Sequence, residues 1–192
     1  MSVRADMDRV VLLTGERGVG KTRLCQRVVQ LAQERGYVCA GVLSPAVFSD
    51  GEKVSINLID VSTGEERLLA VADDAPGDVR WGRYRFAPST LAWATKRLRR
   101  AVPCDLFIVD ELGPLELESK GGLVEALDIL KGGGFGLGLV VIRPELLDSL
   151  KGRVQSQNPR VLRVILSNRD RLPRQILSVL DQEQVGPDLP RQ

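Results

Sequence analysis

The 192-residue sequence contains no histidine, and that absence excludes more chemistry than any other feature of its composition. Without imidazole there is no Ser-His or Cys-His nucleophile, and none of the usual His-containing zinc sites. Proton transfer must fall to carboxylates, lysine or water. Cysteine is scarce: Cys25, Cys39 and Cys104 stand far apart and are odd in number. They suit neither a disulfide framework nor a CxxC metal site, which points to a reducing compartment. No apolar run approaches the ~20 residues of a membrane helix. The opening segment MSVRADMDRV mixes both charge signs and has no apolar signal region. The expectation is a cytoplasmic protein without a membrane partner.

What is present describes a globular chain. Hydrophobic residues make up 43% and charged residues 27%, a balance that supports a packed core. A net charge of +2 is too small to indicate a nucleic-acid partner. The length suits one domain, expected over residues 1–181. The polar end, with two prolines in EQVGPDLPRQ, reads as a flexible tail over 182–192.

RVVLLT (9–14) is a short β-branched run that meets glycine and reads as a buried strand. From Lys21 to Arg35, Leu24, Val28, Leu31 and Ala32 recur at helical spacing, and Gly36 is a natural stop. Residues 37–86 differ: short β-prone runs separated by SDG and STGEE predict antiparallel strands joined by hairpins. A helix is expected from Ser89 to Ala101, with Leu91, Ala94, Leu98 and Ala101 inward. Lys96, Arg97, Arg99 and Arg100 then form its solvated face. CDLFIVDELGPLEL (104–117) is a second buried strand running into acids and a Gly-Pro turn. A helix through Leu123, Leu127 and Leu130 ends at the glycines 132–134. A strand follows over 135–142, then a short helix from Pro144, a last strand over 160–167 and a closing helix to about Leu180.

Gly15-Glu16-Arg17-Gly18-Val19-Gly20-Lys21-Thr22 matches G-x-x-x-x-G-K-[ST] in full. A chance match in such a chain is roughly a one-in-a-hundred event from average residue usage, and the strand before and helix after it are in the required order. Glycines let consecutive N–H groups wrap a phosphate as an anion nest. The following helix presents its positive end to the same phosphates. Lys21 brings a mobile charge to the β and γ oxygens, and the Thr22 hydroxyl suits Mg²⁺. Residues 15–23, Arg23 included, are therefore the predicted nucleotide-phosphate site.

Asp110 ends an apolar strand, where a Walker B carboxylate holds Mg²⁺ directly or through water. Glu111 follows it and leaves the strand in a different direction, because side chains alternate. An acid there is placed to orient and deprotonate a water for in-line attack on the γ-phosphate.

At this point the sequence resembles a known family, the THEP-type small P-loop nucleoside triphosphatases, which include the cancer-related nucleoside triphosphatase. The likeness runs from about Val10 to Leu180. It rests on LLTGERGVGKTRL, on AGVLSPAVFSDGEKVSINLIDVSTGEERLLA, on GRYRFAPSTL, on LFIVDELGPLEL and on LSNRDRLP. The resemblance implies Mg²⁺-dependent hydrolysis of nucleoside triphosphates (ATP, GTP or others) with broad base tolerance. It also implies a three-layer α/β P-loop fold of the RecA-like kind, its mainly parallel sheet extended by antiparallel strands. Carried over by position, Gly15, Gly18, Gly20, Lys21 and Thr22 bind phosphates and metal, Asp110 holds Mg²⁺ and Glu111 activates water. Four departures stand out. The family often has Pro at Arg17, Thr at Arg23, Lys-Met at Pro114-Leu115, and His where Ile142 precedes Arg143.

Secondary candidates follow from position. Asn168 and Arg169 lie after the last strand, at the end of the sheet where a P-loop ligand sits, and are expected to border the base or ribose; a helix-capping turn is the competing role. Arg17 and Arg143 are candidates for stabilising γ-phosphate charge, against ordinary surface ion pairs. Glu116 reads as loop support, and Trp81 and Tyr84 as core aromatics in a chain with only 4% of them. Two other functions remain compatible with the same motifs: a nucleotide or small-molecule kinase, and a slow NTP-driven switch acting on a protein or nucleic-acid partner.

Overall fold

The computed structural model describes residues 9–72, 80–119 and 121–183. In chain order the elements are β1 (Val10–Thr14), α1 (Lys21–Glu34), β2 (Cys39–Leu43), β3 (Ala46–Ser49), β4 (Glu52–Asp60), β5 (Glu66–Ala72), β6 (Arg80–Trp81) and β7 (Tyr84–Phe86). They continue as α2 (Pro88–Leu98), β8 (Cys104–Leu112), α3 (Pro114–Leu117), α4 (Glu125–Gly132), β9 (Phe135–Ile142), α5 (Leu147–Arg153), β10 (Pro159–Arg163) and α6 (Leu172–Glu183).

The strands join in one sheet of order β10-β1-β9-β8-β2-β4-β5-β7-β6, with β3 paired to β4. The five from β10 to β2 are mutually parallel; from β4 outward every pairing is antiparallel. This is the mainly parallel, extended P-loop sheet that the sequence led us to expect.

Alternation along the parallel strands sorts the core into two layers. Val10 and Leu12 of β1 pack with Trp93, Leu98, Leu127 and Leu150, on the side of α2, α4 and α5. Val11 and Leu13 pack with Leu24, Val28, Ile176 and Leu177, on the side of α1 and α6. Strands buried on both faces must read as continuous apolar runs, which is why VVLLT and LFIV are so plain in the sequence.

Several boundaries differ from the sequence reading. Residues 37–86 were expected to be wholly antiparallel, but β2 pairs parallel with β8, with Gly41 opposite Ile108. Only from β4 onward is the extension antiparallel. The last strand stops at Arg163 because β1 turns away into the phosphate loop; one further bond, Val164 N–H to Thr14 O (2.7 Å), ends the pairing. The helix expected to begin at Ser89 begins at Pro88, whose fixed φ suits a first turn, and it ends at Leu98. Its basic face is not all solvated. Arg97 Nε lies 3.3 Å from the buried Asp60 carboxylate and its Nη2 lies 2.6 Å from Glu65. Asp60 also accepts bonds from Ser62 N–H, Ser62 Oγ and Thr63 Oγ1, so one paired carboxylate shapes the STGEE turn and ties it to α2. The closing helix runs two residues into the expected tail, to Glu183, and the rest of that tail lies outside the described residues. So does the side chain of Trp81. Tyr84 is half-buried against the core.

Gly41 shows how closely β2 and β8 approach. Its φ is +109°, and a Cβ there would stand 2.0 Å from Ile108 O. Gly41→Ala must either break this pairing or strain both strands, so it is expected to cost at least about 3 kcal/mol. A urea-denaturation midpoint measures the loss.

Candidate functional site

β1 delivers the chain to Gly15, where φ is +147° and a Cβ would meet Val164 O at 2.5 Å. Only glycine fits between the strand and the segment leaving β10. Gly18 and Gly20 also take positive φ, and Gly20 O starts α1 by accepting from Leu24 N–H at 2.9 Å. No side chain caps α1 and no acid occupies its first turn. Its first N–H groups and positive dipole end therefore face the loop without a capping side chain, the condition for binding a phosphate there. Lys21 Nζ donates to Gly15 O (2.7 Å) and Glu16 O (2.9 Å), which holds the ammonium across the loop. Glu16, Arg17 and Arg23 are exposed and Val19 is buried.

Sheet register carries Asp110 to the same place. Leu12, Val140 and Val109 align across β1, β9 and β8, and Asp110 follows directly, at the C-terminal end of the regular pairing. It also points to the same side as Ile108, toward α1. Thr22 Oγ1 donates to Asp110 Oδ1 at 3.2 Å, and Ser44 N–H donates to Oδ2 at 3.2 Å. Asp110 is 2% exposed. Burial pushes its carboxyl up to about 6, against the pull of the bonds from Thr22 and Ser44. The carboxylate thus lies beside a hydroxyl in a place that water scarcely reaches. Hard oxygen donors of this kind suit Mg²⁺, which keeps water and phosphate oxygens in its remaining positions.

The pairing of β8 with β9 is irregular between Val109 and Leu112, and Glu111 sits in that irregularity. Its Oε1 accepts from Arg143 Nε at 2.5 Å, Arg143 being the residue that follows β9. Both side chains are about one-third exposed. The order β1-β9-β8 therefore places this ion pair beside the phosphate loop.

A second feature lies on the other side of the loop. Gly20, Arg23, Leu24, Arg27, Arg169 and Pro173, with Asp170, line a pocket of about 270 Å³. Arg169 reaches over the loop, with Nη1 3.4 Å from Val19 O. A Cβ on Gly20 would meet that same nitrogen at 3.2 Å. Asn168 does a different job. Its Oδ1 accepts from Ile165 N–H and its Nδ2 donates to Arg163 O, both at 2.9 Å. The amide that was a candidate base contact closes the turn presenting Arg169, the capping alternative named above. The sequence reading missed Ser44, whose contribution is a backbone N–H that carries no sequence signal. It also missed Arg27, although one helical turn from Arg23 was a signal that could have found it.

Comparisons with known proteins give the family to which this fold belongs. A family model described as NTPase matches residues 10–177. The nucleoside-triphosphatase THEP1 of Methanopyrus kandleri is 34% identical over 177 residues, covering 89% of this chain and 94% of that one. The chain belongs to the THEP1 nucleoside-triphosphatase family. The THEP1 of Archaeoglobus fulgidus is 32% identical over 173 residues, covering 89% and 98%. Two solved structures share the fold. The solution structure of a human cancer-related nucleoside triphosphatase has a TM-score of 0.71 at 23% identity, covering 91% of this chain and 98% of that one. The crystal structure of THEP1 from Aquifex aeolicus has a TM-score of 0.70 at 22% identity, covering 90% and 99%. Family membership makes the chain an enzyme of the nucleoside-triphosphatase class.

The VDELGPLEL stretch owes its shape to Glu116. This carboxylate is 6% exposed, and it accepts from Gly113 N–H (2.8 Å) and Leu123 N–H (2.9 Å). It clamps the turn directly after Glu111 and Leu112 onto the segment entering α4. Burial raises its pKa from the ordinary value, with the Leu123 and Gly113 bonds opposing. Glu116→Ala leaves two N–H groups without their partner and is expected to cost about 3 kcal/mol. Thermal denaturation monitored by circular dichroism checks the figure.

Proposed function

We propose that the chain hydrolyses nucleoside triphosphates to the diphosphate and phosphate, with Mg²⁺ and with little selection among bases. The observation that carries this reading is the contact of Thr22 with Asp110 beneath the phosphate loop, with Glu111 one residue beyond. In our account the loop N–H groups and the first turn of α1 hold the β- and γ-phosphates. Lys21 exchanges its contacts to Gly15 O and Glu16 O for phosphate oxygens. Thr22 and Asp110 would hold Mg²⁺, which would supply positive charge to the phosphates of the bound nucleotide.

Glu111 accepts a proton from the attacking water as its oxygen bonds to the γ-phosphorus, and the bond from that phosphorus to the β,γ-bridging oxygen breaks. The diphosphate leaves with the electron pair. The Glu111–Arg143 pair fixes the direction of the carboxylate, and Arg143 must share or give up that contact for Glu111 to take the proton. A released guanidinium then stands where negative charge develops. Arg17 is exposed at the loop and free to turn to the same oxygens.

The 270 Å³ pocket receives the base and ribose. Guanidinium groups from Arg23, Arg27 and Arg169 offer stacking faces and donors that every base accepts, which supports broad base tolerance. Among the described residues no helix is long and apolar enough to cross a membrane, and the three cysteines are free thiols. Both support the cytoplasm as its location.

Phosphate release from ATP, GTP, CTP and UTP, compared between the unaltered protein and Glu111→Gln, tests the reading. Steady release from several nucleotides is expected, with kcat lowered about 100-fold or more in the variant while nucleotide binding persists. Tight binding with negligible release by the unaltered protein would overturn the hydrolase reading.

A further inference from the structure

The inserted strands bring one more charge to the site. Ser44, whose N–H is bonded to Asp110, is the residue directly after β2, and the β3–β4 hairpin starts two residues later. The hairpin therefore springs from the metal-side edge of the site. On its returning strand Lys53 lies opposite Phe48. Arg83 Nη2 donates to the Lys53 carbonyl at 2.6 Å, and Lys53 Nζ stands 5.1 Å from the centre of the Tyr84 ring. The side chain is half-buried and forms no ion pair with any described residue.

The charges that act on this ammonium are those of Glu111, Arg17, Arg143 and Asp110, the acids and guanidinium groups described at the site above. Burial lowers Lys53 from its ordinary value, Glu111 resists that, and the two guanidinium groups add to it. With Lys21, which acts on Asp110, four cations share the neighbourhood of two carboxylates. Of these cations Lys53 alone comes from the antiparallel extension of the sheet.

We propose that Lys53 is the cation by which the β3–β4 hairpin contacts the terminal phosphate of a bound nucleoside triphosphate. This takes its substrate from the hydrolase reading above and adds a residue supplied by the extension of the sheet, not by the P-loop core. Lys53 and Lys21 then approach the γ-phosphate from opposite sides. The hairpin distinguishes triphosphate from diphosphate, because only the former reaches it.

Lys53→Met tests this, removing the ammonium and keeping an unbranched side chain. The affinities of ADP and of the β,γ-imido analogue of ATP are measured by calorimetry with Mg²⁺, together with phosphate release. We expect the imido analogue to bind about tenfold more weakly, ADP to bind unchanged, and kcat to fall about 100-fold. Lys53→Arg should recover most of both losses. An equal loss for the two nucleotides would show that Lys53 merely supports the fold, and unchanged binding and rate would show that it stands clear of the substrate. Either result overturns the proposal. The binding ratio reads Lys53 whether or not the unaltered protein releases phosphate, so failure here and failure of the hydrolase reading register separately.

Discussion

Everything in this site depends on a single contact between residues 88 positions apart: Thr22 Oγ1 to Asp110 Oδ1, at 3.2 Å. Thr22 belongs to the first turn of a helix and Asp110 to the buried end of a strand two places away in the sheet. They meet because β9 spaces β1 from β8 in parallel register up to the Leu12–Val140–Val109 row, which Asp110 directly follows. The alternation of side chains then turns Asp110 toward α1 and sends Glu111 elsewhere. A shift of one residue in β8 would exchange the two acids. The apolar layers on both faces of the sheet are what hold that register.

The same interaction explains why β2 matters beyond the core. The bond from Ser44 N–H completes the Asp110 carboxylate, and the chain leaving Ser44 builds the antiparallel extension. That extension is anchored separately, through the Asp60–Arg97 pair and the Thr90 Oγ1 bond to Leu68 O (2.7 Å). These two contacts fasten the extension to α2. DVSTGEERLLA thus has a structural role: Asp60 folds the turn, and its pairing with Arg97 fixes the turn to α2.

How much the sequence disclosed follows from how local each feature is. The phosphate-loop motif is eight consecutive residues, so its pattern is complete in one place. Asp110 was legible because a strand buried on both faces reads as an apolar run that an acid interrupts. The parallel pairing of β2 was not, since CAGVL has the composition of any buried strand and its partner lies 67 positions away. Asn168 and Arg169 were recognised as neighbours of the loop, but only coordinates show that one amide closes a turn while the guanidinium beside it reaches the loop. The link between Glu111 and Arg143, and the place of Lys53, arise from strand order and hairpin geometry. No spacing along the chain encodes either one.

The central claim is that Asp110 and Thr22 together form the metal end of a nucleotide site. Mn²⁺ provides the direct test, because its electron paramagnetic resonance signal distinguishes free from bound ion. Titrated in the presence of ATP, the unaltered protein should bind Mn²⁺ more tightly than ATP alone does. Asp110→Asn, nearly identical in shape, should abolish that gain. Equal Mn²⁺ binding by the two proteins would contradict the account and move the metal away from Asp110.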